Sequence, residues 1–237
     1  MKIGMLGGIG PESTVDYYQR LIKLYQKNIS GDDYPEIIIN SINMTAMLKL
    51  VSEKDWDGLT GMLADGLRAL QNAGADLAFI ASNTPHIVFE QVKRLFAIPL
   101  LSIVEAARME AEKQELKKVG LLGTLFTMQS SFYQAEFDKS GIETVVPNEE
   151  EQRYIHQKLF SEIERGVFLE DTREGLLKIV NRLIIDAEID GVILGCTELP
   201  LILTKDELGI PFLNTTEIHV RRIFDKYVEL SGFSAIN

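Results

Sequence analysis

KIGMLGG, Lys2–Gly8, and KVGLLGT, Lys118–Thr124, are nearly the same short text written twice. Each opens on lysine, runs apolar and breaks at glycine, which reads as a short buried strand entering a tight turn. Two further pairs follow in the same order. GADLAFIASNTP, from Gly74, matches EIDGVILGCTEL, from Glu188, and IPLLSIVEAA, from Ile98, matches IPFLNTTEIH, from Ile210. The three offsets are 116, 114 and 112 residues. Matches in one order at nearly one offset identify a unit of about half the chain, duplicated once.

Each half alternates strands and helices. In the first, Lys2–Gly7, Glu36–Asn43, Leu77–Ala81 and Leu100–Ile103 read as strands. Helices are expected from Pro11, which suits a first turn, through Gln26, over Asp55–Asn72, and over Pro85–Leu95. In the second, strands are expected at Val119–Gly123, Thr144–Val146, Gly191–Gly195 and Phe212–Asn214, with helices at Glu151–Arg165 and Thr172–Glu188. Such alternation builds mainly parallel sheets through right-handed crossovers. The expected fold is α/β: two three-layer sandwiches related by a pseudo-two-fold axis, with the active site in the cleft between them. Residues 1–98 plus 211–237 would form the first domain and residues 99–210 the second.

The chain has 237 residues, a net charge of −11 and no basic cluster, which argues against nucleic-acid and membrane partners. Cys196 is the single cysteine, so an internal disulfide and a cysteine-rich metal site are excluded. The N-terminus lacks the apolar core of a signal peptide, and no run is long enough to span a bilayer. The expectation is a soluble cytoplasmic protein.

Ligands of open α/β sheets sit outside the carboxyl ends of strands. At the offset of 114, Ser82 corresponds to Cys196, Asn83 to Thr197 and Thr84 to Glu198. A hydroxyl and a thiol, one per half, would then face each other across a ligand. A lone cysteine is more often buried and inert. The strand-to-helix setting of GCTELP favours a reactive thiol, its pKa lowered by a helix N-terminus. SNTPH reads both as a helix cap and as a carboxylate-binding turn. His86 lies within reach of that turn, His219 is a second cleft candidate, and His156 reads as structural. GGIGPEST fails as a dinucleotide fingerprint, because Ser13 stands at the third glycine position and Asn43 ends the next strand. Gly8, Ile9 and Gly10 better suit a turn that presents backbone amides to a small anion. Thr124 and Thr127 are hydroxyl donors at the corresponding turn. No metal-ligand spacing is visible.

GMLGGIGPEST, SNTPH, GTLFTM, GCTELP and NTTEIH together resemble the aspartate/glutamate racemase superfamily, nearly end to end. The resemblance implies an amino-acid racemase that uses no pyridoxal phosphate and no other cofactor, acting on a small anionic amino acid, aspartate or glutamate. Two residues, typically both cysteine, flank the substrate Cα, one removing the α-proton and the other returning one to the opposite face. Here they would be Ser82 and Cys196. Asn83, Thr84, Thr124 and Thr197 would hold the α-carboxylate and ammonium. Glu198 and His86 would set the protonation of the proton-transfer groups. Ser82 departs from the pattern, since a hydroxyl is a far weaker acid than a thiol and needs an activating partner to become a base. The expectation is therefore a direction-biased racemase. The alternatives are a decarboxylase or isomerase of the same architecture and a catalytically weakened binding homologue. Lys49 and Arg165 are candidates for a distal carboxylate or simply solvated helix charges. MTAMLKLV, Met44–Val51, suits either a homodimer contact or an ordinary core segment.

Overall fold

The structure is a computed structural model and describes residues 1–29 and 34–232. The chain divides into two compact units, Met1–Ile103 with Thr216–Asn237, and Val104–Thr215. In the first, β1 (Lys2–Gly7) leads into α1 (Pro11–Asn28), β2 (Glu36–Ser41), α2 (Met44–Glu53) and α3 (Trp56–Asn72). Then come β3 (Leu77–Ile80), a 3₁₀ turn over Thr84–Val88, α4 (Phe89–Lys93) and β4 (Leu100–Leu101). Helix α5 (Ile103–Lys113) carries the chain into the second unit. That unit contains β5 (Lys118–Leu122), α6 (Leu125–Gln129), α7 (Phe132–Phe137), β6 (Glu143–Val145) and α8 (Glu149–Ser161). A turn over Ile163–Arg165, α9 (Glu170–Ala187), β7 (Gly191–Leu194), a turn over Leu199–Leu201 and β8 (Phe212–Asn214) follow, and α10 (Thr215–Ser231) returns the chain to the first unit.

Both sheets are parallel and have one topology: β2-β1-β3-β4 and β6-β5-β7-β8. The duplication persists at the level of single bonds. The Asp76 carboxylate accepts the Lys2 N–H, and the Asp190 carboxylate accepts those of Lys117 and Lys118. Lys2 pairs across the strand with Glu36, as Lys118 does with Glu143. All four residues of β3 and all four of β7 are buried, as the continuous apolar text of a two-sided parallel strand requires. Tyr17, Leu21 and Tyr25 of α1 pack with Phe79 and the buried face of α10 in the first core. Leu176, Val180 and Leu183 of α9 pack with Ile155 and Leu159 of α8 in the second.

Three expected elements differ from the structure. Pro85–Leu95 is not one helix, because the Asn83 carbonyl takes the His86 N–H in a 3₁₀ turn and Val88 leaves helical geometry before α4. Ile103 is not in a strand: its N–H bonds the His86 ring and it opens α5. The expected helix through Arg165 stops at Ser161, since Glu162 adopts φ −128°. Met44–Val51 is helical, with Met47 and Val51 buried and Lys49 72% exposed beside Glu53. No described helix is long and apolar enough to cross a membrane.

Gly8 leaves β1 at φ +83°, and a Cβ there would lie 2.4 Å from the Ile42 carbonyl and 2.5 Å from the Ser41 Oγ. Gly8→Ala therefore combines a left-handed backbone with a main-chain clash. It is expected to cost roughly 2–4 kcal/mol of stability, measured by urea unfolding.

Candidate functional site at the strand exits

In each unit the strand order reverses between the two central strands, β1 and β3 or β5 and β7, and their carboxyl ends form the switch point at which such sheets bind ligands. The residues singled out in the sequence fall there. β1 exits into Gly8-Ile9-Gly10, β3 into Ser82-Asn83-Thr84, β5 into Gly123-Thr124, and β7 into Gly195-Cys196-Thr197-Glu198.

In the first unit, Asn83 and Thr84 are buried and Ser82 is half-buried. The Ser13 hydroxyl on α1 donates to the Ala81 carbonyl, tying helix to strand exit immediately before Ser82. The Gly8 N–H donates to the Thr14 hydroxyl at 2.8 Å, so this amide is committed to the turn. His86 is 4% exposed, and its Nε2 accepts the Ile103 N–H at 3.3 Å. Its proton therefore sits on Nδ1, beside the backbone of Ser82 and Asn83 but with no partner at hydrogen-bonding geometry. Burial lowers its pKa to about 4. His86 is thus a neutral strut between the β3 and β4 exits, stacked on Phe89, rather than a group that changes charge near neutrality.

His219 belongs to the same framework. It is fully buried, its Nδ1 accepts from the Tyr17 hydroxyl at 2.9 Å, and its Nε2 donates to the Leu101 carbonyl at 3.1 Å. Burial, reinforced by repulsion from His86, lowers its pKa to about 3. Both ring nitrogens are spent inside the core, which corrects the expectation of a cleft histidine. The Ser82 hydroxyl has no hydrogen-bond partner among the described residues of its own unit.

In the second unit, the Cys196 thiol donates to Glu198 Oε2 at 2.9 Å, and the Thr197 hydroxyl donates to the same oxygen at 2.8 Å. Glu164, from the turn after α8, brings its carboxylate to them, and one donor atom from each of Glu164, Cys196 and Glu198 lies within 4.8 Å of the others. It is the one cluster of three metal-type donors among the described residues. Burial pushes the thiol pKa well above its ordinary value, and the charges of Glu198 and then Glu164 push it further. This reverses the expected lowering. The element after Cys196 is a three-residue 3₁₀ turn over Leu199–Leu201, too short to sum a helix dipole against the desolvation of a buried thiol. Glu164 titrates at about 7, raised by burial and then by Glu198.

Sequence reading missed Glu164, one acid among many in EEEQRYIHQKLFSEIER and placed on a continuing helix. What turns it inward is Glu162. The Glu162 side chain accepts from Lys158 and Thr172, and its unusual backbone ends α8 four residues early. Arg165 stays exposed. Beneath Cys196, fully buried Tyr133 bonds Thr215, whose hydroxyl donates to the Leu194 carbonyl. Thr124 caps α6 by accepting the Thr127 N–H, and the two threonine hydroxyls lie 3.2 Å apart. Thr127 is fully buried, which makes it the inner partner of that pair.

Each unit thus presents a parallel sheet of one topology, and the second sets a buried thiol and two carboxylates at its switch point. A sequence profile described as Asp/Glu/Hydantoin racemase matches residues 6–223, and the chain belongs to that family. It is 27% identical over 231 residues to the broad specificity amino-acid racemase RacX of Bacillus subtilis, covering 95% of this chain and 98% of that one. An aspartate racemase homologue from Pyrococcus horikoshii is 36% identical, with a TM-score of 0.82 over 95% of this chain and 98% of that one. The aspartate racemase of Picrophilus torridus, at 21% identity, shares the fold with a TM-score of 0.75 over 99% of this chain and 96% of that one.

Two measurements test the electrostatics. Glu164 has a folded pKa of about 7 against 4.5 for the free group, so its burial costs nothing below 4.5 and the cost is complete above 7. Glu164→Gln should raise the melting temperature at pH 8 and change it little at pH 5; equal shifts at both would refute the assignment. Because Cys196 is the single cysteine, thiolate absorbance at 240 nm, taken as a difference from Cys196→Ala, reports it alone. Glu198→Gln should move that titration to lower pH.

Proposed function

We propose that the protein is a cofactor-independent amino-acid racemase acting on aspartate or glutamate, with Cys196 and Ser82 as the two proton-transfer groups on opposite faces of the substrate Cα. The observation that carries this reading is the Cys196 thiol hydrogen-bonded to Glu198 beside Glu164, at the β7 exit of a chain in this family. Ser82 is assigned as the second group because it occupies the equivalent exit of β3. The Pyrococcus homologue favours aspartate; the broad specificity in the name of the Bacillus relative favours a wider range.

Cys196 begins as a thiol, its pKa held high, and is therefore ready as an acid. It donates its proton to a carbanion formed at Cα, and the resulting thiolate is reprotonated from the Glu198–Glu164 pair. In the reverse direction the thiol passes its proton to that pair, and the thiolate then takes the α-proton. Glu164, near half-protonated at neutral pH, can accept or supply a proton at little cost. Ser82 has no such partner among the described residues of its own unit. Proton removal from its face is slow, so α-proton exchange is faster for the enantiomer whose α-proton faces Cys196, while net interconversion of the enantiomers is slowed in both directions. Asn83, Thr84, Thr124 and Thr197, with the Ile9 and Gly10 amides, are assigned to the α-carboxylate and ammonium. Thr127 supports Thr124 from within. We assign the protein to the cytoplasm, and the half-buried apolar residues Met44, Leu48 and Leu50 support a homodimer.

The unpartnered Ser82 hydroxyl favours one second reading, a decarboxylase or isomerase that needs only the thiol to protonate its intermediate. The test is Cα deuterium incorporation from D₂O, followed by NMR for each enantiomer of aspartate, glutamate and a wider amino-acid panel. Exchange from one enantiomer faster than from the other is expected. Cys196→Ala should reduce it by about 10³-fold or more, and Ser82→Cys should raise the slower direction by about tenfold. Full activity in Cys196→Ala refutes the assignment. Loss of carbon dioxide or cis–trans isomerisation without exchange establishes the second reading.

A further inference from the structure

The second unit holds a histidine that the proposed mechanism does not use. His156, on α8, is half-buried, and its Nδ1 accepts the N–H of Leu125 at 3.3 Å. Leu125 is the first residue of α6, immediately after Thr124. An N–H only donates, so Nδ1 carries the lone pair and the ring proton sits on Nε2. The ring stands edge-on to Phe126, with centroids 6.2 Å apart, and against Phe160 at 4.6 Å, which sets its orientation. One turn earlier on α8, Gln152 accepts from the Gln129 amide at the other end of α6 and donates to the Pro147 carbonyl. α8 therefore grips α6 at both ends. α6 has only five residues and buries few side chains, so it cannot hold its own position by packing.

We infer that His156 is a positioning residue for the β5–α6 turn: by accepting the Leu125 N–H it holds the Thr124 hydroxyl where substrate would meet it. The chain of contacts is short. His156 fixes the Leu125 amide, and the Thr124 carbonyl and hydroxyl accept from Met128 and Thr127 in the same turn. The inference rests on the proposed function only in assigning Thr124 to the substrate. The bond itself stands apart from that assignment.

The test compares the whole chain with His156→Leu, which keeps bulk and removes the acceptor, and His156→Asn, whose Oδ1 takes the place of Nδ1. In protein labelled with ¹⁵N-leucine, the Leu125 amide should exchange about tenfold faster in His156→Leu and recover in His156→Asn. In the racemase assay, His156→Leu should raise KM several-fold, up to about tenfold, with kcat within about twofold, and His156→Asn should restore KM. Unchanged Leu125 exchange overturns the bond. Faster exchange with unaltered KM, or a KM effect that His156→Asn does not rescue, overturns the positioning role and leaves His156 a packing residue. A wild-type chain that turns over no amino acid in the panel fails the proposed function instead, and calorimetric aspartate binding by the three proteins then decides the role of His156 through Kd.

Discussion

The last rung of the ladder between the two central strands of each sheet determines where chemistry can occur. The Ala81 N–H donates to the Leu6 carbonyl at 2.9 Å, and the Gly195 N–H donates to the Leu122 carbonyl at 2.7 Å. One residue later each chain is free of the ladder, and that residue is Ser82 in one unit and Cys196 in the other. Position 195 tolerates only glycine for this purpose. A Cβ there would lie 2.9 Å from the Leu122 carbonyl oxygen and 2.8 Å from a Leu121 methyl carbon. The Gly195 carbonyl in turn closes on Gly123, where a Cβ would lie 3.0 Å from it, so the β7 exit meets the β5 exit just before Thr124.

The same scaffold gives the two exits opposite electrostatics. In the first unit, burial keeps His86 and His219 neutral, and their polar atoms serve to join β3, β4, α1 and α10. In the second unit, the thiol shares its proton with one carboxylate while another sits near its own midpoint at pH 7. Desolvation acts in both places. It suppresses charge on the histidines, and at Cys196 it retains the proton until a carboxylate can take it. The duplication copied the backbone, and the side chains then diverged into a rigid exit and a titratable one.

Much of this was legible in the text of the chain. The repeat of KIGMLGG in KVGLLGT locates both sheets, and the offset of 114 pairs Ser82 with Cys196 from the sequence alone. The ends of β3 and β7, whose cues are local, fall within a residue of where the text of the chain puts them, at Ile80 and Leu194. Errors gathered where a partner distant in sequence takes over. Ile103 looked like strand because nothing nearby says that its N–H belongs to His86. The helix through Arg165 looked continuous because its end depends on Thr172, ten residues beyond Glu162. His219 looked like a cleft residue because its partners, Tyr17 and the Leu101 carbonyl, lie 202 and 118 residues away.

The sequence by itself determined the duplicated α/β architecture, the strand exits and the identity of the two residues that occupy them. These follow from periodicity, from glycine and proline punctuation, and from repetition, all of which are carried by neighbours along the chain. Only the tertiary structure decided the protonation of the site. The pKa of Cys196 is raised rather than lowered, Glu164 is a member and His219 is not, because desolvation and charge proximity depend on which side chains converge in space. A carboxylate 32 residues upstream in the chain can lie beside a thiol and raise its pKa, and no spacing rule along the sequence encodes that.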